Sequence, residues 1–583
     1  MEETTTILVE EFFNYTSWNG TGSCLGQDSL NVAGLIAILV FYLAVLAVGM
    51  YAGWKSRNEE QNQEQVMLAG RDIGMFVGVL TMGATWVGGG FINGSAQEAY
   101  KSGLIWTQAP FGYSLSLFIS GTFYARKMRE SRYVTMIDPF TQKYGKWGAL
   151  QVIPASISEI FWSASILGAL GSTLQVILSL DETISIIVSA AIALLYTMLG
   201  GLISVAYTDV VQMFFIVIGL FLALPFAITH EAVSNIYEEK LDDGVTPAWY
   251  GHVAPHEWGL WVDYTFLLLF GGIPWQCYYQ RVLSSKSAVR AQLLSYGGAA
   301  IALIMTGPSV LFGAIAKATD WSKTDYPCGA PTGDASKVVL PLVLQYLTPP
   351  AVAFFGLGAI SAAVMSSTDS SMLSASTMIA RNLYKTVFRP KCSEKEVIYS
   401  LYVLILINCV IATTLAIEYR SIYDLFVLCG DFMFVIVFPQ LTMVLFCEQS
   451  NTYGSVFSFF VSLILRLLCG DGQLGIPASI SFGTMYGAPG TCPTDLNPHE
   501  PCQGAYPFRT IVTLIGFGVH LLLSYGTTYM FAVKKLVSLR WDFFNCFLKA
   551  GDKIVPRSSR QLEPEIMDLQ DKSAVHHNSG FTS

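Results

Sequence analysis

Residues 83–90 read Gly83-Ala84-Thr85-Trp86-Val87-Gly88-Gly89-Gly90 and stand inside an apolar stretch, 73–96, that is long enough to cross a hydrocarbon layer of ~30 Å, for which roughly 20 helical residues suffice. Three consecutive glycines weaken a helix in any solvent. The carbonyls that a break frees must be met by water, ions or neighbouring groups, because lipid offers no partner. A tryptophan at such a break is also out of place, since belt tryptophans gather at span ends. A broken span with an aromatic at the break is suited to an ion or substrate site; the plainer use of the glycines is close packing of helices.

Outward from this stretch, the same feature recurs once, at Gly271-Gly272-Ile273-Pro274-Trp275-Gln276. Hydropathy with flanking charge gives about thirteen spans: 32–54, 73–96, 104–125, 147–175, 183–203, 210–228, 261–280, 291–316, 338–380, 398–417, 422–447, 453–468 and 510–532. The two broken spans are the second and the seventh. An offset of five is odd, so repeats comprising spans two to six and seven to eleven run in opposite directions through the membrane, as inverted-repeat transporters require. The ninth stretch is too long for one helix, and a short extra helix is expected ahead of its span.

Composition agrees with a membrane solvent. The 583 residues are 52% hydrophobic and 13% charged, about half the charged share of a soluble domain. No basic patch suggests nucleic acid, no CxxC pair or His cluster suggests a metal, and no nucleophile–base pair suggests an enzyme. The formal charge of −9 says less than where the charges lie. With the first 31 residues outside, segments 55–72, 125–146, 281–290, 381–396 and 533–583 face the cytoplasm and carry 25 of the 33 basic residues, the bias that orients membrane proteins. The chain therefore divides into an extracellular lead, 1–31, a transmembrane transporter domain, 32–540, and a cytoplasmic tail, 541–583, expected to be largely disordered and open to trafficking contacts. The lead lacks a basic n-region, so the first span reads as retained. Asn14-Tyr15-Thr16 and Asn19-Gly20-Thr21 are glycosylation sequons in the lead, whereas Asn93-Gly94-Ser95 lies within or beside a span and is a chance match. Cys492 and Cys502 share one outer loop, with Cys24 and Cys328 on the same side; pairing and free thiols fit equally well.

Three further patterns carry chemistry. Span nine contains Ala362-Ala363-Val364-Met365-Ser366-Ser367-Thr368-Asp369-Ser370-Ser371, in which Ala363, Ser366 and Ser367 share one helix face. One carbonyl and two hydroxyls are hard ligands that suit sodium; bonding back to the helix is the plain alternative. Trp86 and Trp275 are joined by Tyr113 in span three and by Glu159 and Trp162, one turn apart, in span four. Aromatic faces attract cations by roughly 0.5–2 kcal/mol each and are the usual answer to a quaternary ammonium, although packing explains any one ring alone. Glu159, Asp369 and Asp431 lie within spans, while the broken spans hold no Lys or Arg before Arg281, a bias that accepts cations more readily than anions. Asp209 falls between spans five and six and reads as a helix cap.

Long segments resemble the sodium/solute symporter family and, within it, the choline branch: Thr85 to Gly90, Gln108-Ala109-Pro110 with Gly112-Tyr113-Ser114-Leu115-Ser116, Val205 to Gln212, Gly271 to Gln276 with Gln280 to Ser285, and Ala362 to Ser371. The likeness runs from about 32 to 540. It implies an all-α integral membrane fold of the leucine-transporter type, with inverted five-helix repeats plus flanking helices. It also implies sodium-coupled, chloride-dependent choline uptake across the plasma membrane of presynaptic terminals, with synaptic vesicles as a second location, supplying acetylcholine synthesis. Position by position, Trp86, Tyr113, Trp162 and Trp275 resemble the choline-enclosing aromatics and Asp369 a nearby functional carboxylate. The backbone of Ala84, Val87 and Ala363 with the hydroxyls of Ser366 and Ser367 resembles the family's sodium site. Phe426 stands where the choline branch has Trp, and Cys469-Gly470-Asp471 where it has Gly-Gly-Glu. A divergent carrier of another ammonium or small solute, and a non-transporting sensor or scaffold, are the alternatives.

Overall fold

A computed structural model describes residues 32–56, 63–178, 181–198, 201–238, 240, 246–419, 421–471, 476–480, 482–486 and 503–547. The lead with Asn14, Asn19 and Cys24, the Cys492 and Cys502 loop, and the tail beyond 547 lie outside these residues. Each apolar stretch read from the sequence is helical. The helices are α1 (Val32–Ser56), α2 (Met75–Trp86), α3 (Gly89–Lys101), α4 (Ala109–Ile119), α5 (Val152–Leu178), α6 (Glu182–Thr197), α7 (Gly201–Ile228), α8 (Trp258–Gly271), α9 (Gln276–Ser284), α10 (Ala288–Lys317), α11 (Val339–Tyr346), α12 (Pro350–Met378), α13 (Glu394–Glu418), α14 (Ile422–Phe432), α15 (Phe438–Phe446), α16 (Thr452–Leu468) and α17 (Phe508–Thr528). Among the described residues, seven helical segments are long and apolar enough to cross a membrane, and α2 with α3, bent by 45°, make an eighth. The extra helix expected ahead of span nine is α11. One element was not foreseen: Thr484–Tyr486 pairs antiparallel with Gln503–Ala505.

Burial explains why α12 tolerates so many hydroxyls. Every residue from Gly356 to Met378 is buried, so its serines face protein rather than lipid, where an unpaired hydroxyl would cost several kcal/mol. By contrast, α7 exposes Tyr207, Phe214, Ile218 and Phe221 and buries Asp209 and Gln212, an apolar-out, polar-in helix as the bilayer demands. The two pack tightly at Gly219, where an added Cβ would lie 2.5 Å from Ala359.

The reading of Asp209 as a cap is overturned. Helix α7 begins at Gly201, which has φ of +60°, nine residues before the hydropathy boundary. Asp209 therefore sits two turns inside the helix and is fully buried. The left-handed Gly201 opens the helix, and Tyr207-Thr208-Asp209 is a helical stretch, not a loop, with Thr208 and Asp209 facing inward and Tyr207 outward.

Residues 541–547 also pack onto the helical body: Tyr453 Oη donates to Asp542 at 3.0 Å and the Phe531 and Phe547 rings stack at 5.3 Å.

Candidate substrate and sodium site

Both breaks are real departures from helix. At the first, the last regular bond of α2 runs from Val87 N–H to Gly83 C=O (2.9 Å). Val87 (φ −83°, ψ 64°) and Gly88 (φ −101°, ψ −169°) then leave helical geometry before α3 resumes. At the second, Gly272, Ile273 and Pro274 separate α8 from an extended Trp275 (φ −105°, ψ 125°) that starts α9. The proline cannot donate to the preceding turn and fixes the interruption. The glycines also serve the close packing weighed above: a Cβ on Gly272 would lie 2.2 Å from Ser116 Oγ, and one on Gly271 2.6 Å from the Gly430 carbonyl.

The breaks bring the predicted aromatics together. Trp86, Tyr113, Trp162 and Trp275 are all buried and, with Phe426, line one cavity. Ring centroids are 6.2 Å apart for Trp86 and Trp275, 6.3 Å for Trp86 and Trp162, 5.5 Å for Trp162 and Trp275, 5.8 Å for Tyr113 and Trp275, and 5.0 Å for Tyr113 and Phe426. The Trp86 indole donates to the Tyr113 carbonyl (3.2 Å), and Tyr113 Oη donates to the Phe426 carbonyl (3.1 Å). The polar tips of these two residues are thus tied to backbone, leaving their ring faces to line the space. That space is about 10 Å³, the room of roughly one water; the rings are closed on one another through edge contacts.

Phe426 is the lining residue that the aromatic argument left out; only its departure from the branch pattern marked it. Replacing it by Leu, which keeps bulk and removes the π face, is expected to weaken ammonium binding roughly 2- to 30-fold, the equivalent of about 0.5–2 kcal/mol, measured as competition against labelled choline.

The predicted sodium ligands also converge, on the far side of the same break. Ser367 Oγ donates to the Thr85 carbonyl (3.0 Å), and a Cβ on Gly88 would lie 1.9 Å from Ser367 Oγ and 3.8 Å from the Ala363 carbonyl. Ala84 and Val87 are fully buried at the end of α2, beyond whose last bond carbonyls lose their helical donors. Carbonyl and hydroxyl oxygens in this arrangement match the hard ligands sodium takes at unwound helices. Ser366 Oγ donates to Asp209 Oδ1 (2.5 Å), Thr81 Oγ1 donates to Asp209 Oδ2, and Arg281 Nη2 pairs with the same oxygen at 3.3 Å while donating to Ser370 Oγ at 2.5 Å. Asp209 and Arg281 therefore belong to this site. Arg281, read from the sequence as the first residue of a cytoplasmic segment, is instead fully buried on α9, where a charged side chain needs a partner.

Two carboxylates stand elsewhere. Asp369 accepts from Thr197 Oγ1 (2.6 Å) and does not line the ring cavity. Asp431 pairs with Arg466 and Arg509, which also reach Asp471 at 2.5 and 3.3 Å. Asp263 accepts from the backbone N–H groups of Arg509 (3.0 Å) and Thr510 (2.7 Å). The negative bias inferred from Asp431 is thus cancelled locally, and Arg281 adds a cation to the core; the remaining carboxylates there are Glu159, Asp209 and Asp369.

Residues 66–462 match the model of the sodium:solute symporter family. The chain belongs to that family. It is a sodium-coupled membrane transporter and not an enzyme. Among similar symporters, a high-affinity choline transporter of Drosophila melanogaster is 48% identical over 528 residues, covering 90% of this chain and 83% of that protein. The human high-affinity choline transporter is 46% identical, covering 86% of each chain. A solved Na⁺-coupled sialic acid symporter in an outward-open state superposes with a TM-score of 0.67 at 15% identity, covering 85% of this chain and 97% of the other. At that identity the likeness establishes a shared fold.

Proposed function

We propose that this symporter takes up choline together with sodium. The observation that carries the reading is the five-ring cavity built at the meeting of the two helix breaks by Trp86, Tyr113, Trp162, Trp275 and Phe426. A quaternary ammonium has no N–H to donate, so ring faces rather than acceptors must hold it. The choline transporters among its relatives favour the same substrate. Sodium is held by the carbonyls of Ala84, Val87 and Ala363 and the hydroxyls of Ser366 and Ser367, fixing the break of α2 against α12. Since the rings pack edge to face on one another, the cation enters by separating them, and the bundle carrying α2, α3, α8 and α9 rocks to release it on the other side. The drive is ample. Each positive charge moving inward gains ~2.3 kcal/mol per 100 mV, and a tenfold sodium gradient adds ~1.4 kcal/mol.

Hydropathy, charge placement and the two sequons extend the proposal to thirteen spans in inverted repeats with the N-terminus outside and to a glycosylated lead at Asn14 and Asn19; the resemblance to the choline branch extends it to chloride dependence, to a role for Asp369 in substrate handling and to supply of acetylcholine synthesis at nerve terminals. The test is labelled choline uptake in cells expressing the chain. Saturable uptake that collapses when N-methylglucamine replaces sodium is expected; uptake indifferent to that exchange ends the coupling, and saturable uptake of a polyol but not of choline ends the substrate assignment.

A further inference from the structure

One carboxylate beside the cage has no part in the arrangement so far. Glu159 lies on α5 one turn before Trp162 and is fully buried. Its nearest donors are the indole of Trp275 and the backbone N–H groups of Cys277 and Gln276, the first residues of α9. These contacts fall short of full hydrogen-bond geometry at both carboxylate oxygens and at the Trp275 indole nitrogen. Arg281, on the same half-helix, acts on Glu159 through its charge, but its hydrogen bonds go to Asp209 and Ser370. The positive end of α9 compensates only part of a full charge, and a buried carboxylate otherwise demands a cation or a proton.

The surroundings continue this pattern. On α9, Gln276 Nε2, Tyr279 Oη and Gln280 Nε2 are buried without hydrogen bonds, as are Ser156 Oγ and Ser158 Oγ on α5. Buried polar groups are almost always satisfied, so these atoms leave the head of α9 and the start of α5 with polar capacity that a polar guest could meet. At the first residue of α9, Gln276 Oε1 accepts from the Met136 N–H at 2.7 Å, which ties the head of α9 to the segment preceding Asp138.

We infer that Glu159 is a second station for the transported ammonium: its carboxylate draws the cation from between the Trp162 and Trp275 rings to the head of α9, from which it leaves along that half-helix. This rests on the proposed ammonium substrate. Trp86 and Trp275 would select for a cation's shape and softness, while Glu159 would select for its charge. A merely structural carboxylate, tethering α5 to α9, would affect charged and uncharged ligands alike.

The experiment compares binding of choline and of its uncharged isostere, 3,3-dimethyl-1-butanol, to the purified full-length transporter. The wild type should prefer choline, and Glu159→Gln should lose about tenfold or more of that preference, as expected for unit charges several ångström apart in a protein interior, with affinity for the alcohol unchanged. Glu159→Asp, which keeps the charge but withdraws it by one methylene, should keep the preference and slow choline counterflow in liposomes several-fold. Equal losses for both ligands in Glu159→Gln, or unaltered preference, overturn the inference. Should Glu159→Gln fail to fold, wild-type counterflow rates in Glu159→Asp overturn it. A wild type that does not distinguish choline from the alcohol ends the choline reading itself.

Discussion

Trp275→Ala is expected to reduce choline affinity by at least ~30-fold, the equivalent of about 2 kcal/mol. Trp275 is the only cage ring in contact with three others, Trp86, Tyr113 and Trp162, at 6.2, 5.8 and 5.5 Å. Its removal deletes one cation-binding face and also the edge contacts, each worth about 0.5–1.5 kcal/mol, that hold the other faces in place. Truncating a buried tryptophan also costs stability, about 3–5 kcal/mol, so transport must be normalised to protein at the cell surface. Trp275→Phe keeps a π face and most of the contacts and should recover a large part of the affinity. The measurement is the concentration dependence of labelled choline uptake; an unchanged half-saturation in Trp275→Ala would place the ammonium outside this cavity.

Gly88→Ala is expected to abolish sodium-driven uptake or to raise the sodium requirement more than tenfold. The added Cβ would lie 1.9 Å from Ser367 Oγ and 2.5 Å from Ser367 Cβ. Rotating the hydroxyl away does not remove the second contact, so α12 and the break of α2 must separate. That separation occurs where the oxygens of Ala84, Val87, Ala363, Ser366 and Ser367 are to close around sodium. Backbone conformation is not the obstacle, since φ at Gly88 is −101°; the obstacle is space. Gly307→Ala is the control, because a Cβ there meets nothing within 4 Å, and its uptake should match the wild type. Sodium titration of choline uptake in both variants decides the matter. Normal sodium dependence in Gly88→Ala would move the ion away from this break.

The legible parts of the molecule share a physical basis. Span positions follow from hydropathy because the bilayer is a uniform solvent whose thickness sets helix length. Breaks at 86–88 and 272–275 follow from glycine and proline because those residues disrupt helices in any environment. The extra helix α11 followed from length alone. Asp209 was misread because hydropathy marks where lipid contact stops, not where a helix starts. Helix α7 begins at Gly201, ahead of the apolar window assigned to it, and its Ser204, Thr208 and Asp209 face protein rather than lipid. Asp431 was misassigned for a related reason. Its partners Arg466 and Arg509 are 35 and 78 residues away, a distance at which a single sequence offers no pairing rule.

By itself, then, the sequence determined a helical membrane transporter with two interrupted spans; its pattern named four of the five rings that line the cavity and Ala363, Ser366 and Ser367 as proposed sodium ligands, to which the family resemblance added Ala84 and Val87. Only the tertiary structure decided that the four rings meet around one cavity, that Phe426 lines it with them, that Arg281 is matched by Asp209, and that Glu159 faces the Trp275 indole and the head of α9 without full hydrogen-bond geometry. The reason is range. Helix breaking, span length and facial spacing act within a few turns of one chain segment, whereas enclosure of a cation and neutralisation of a buried charge are made by helices that meet only after the whole bundle has packed.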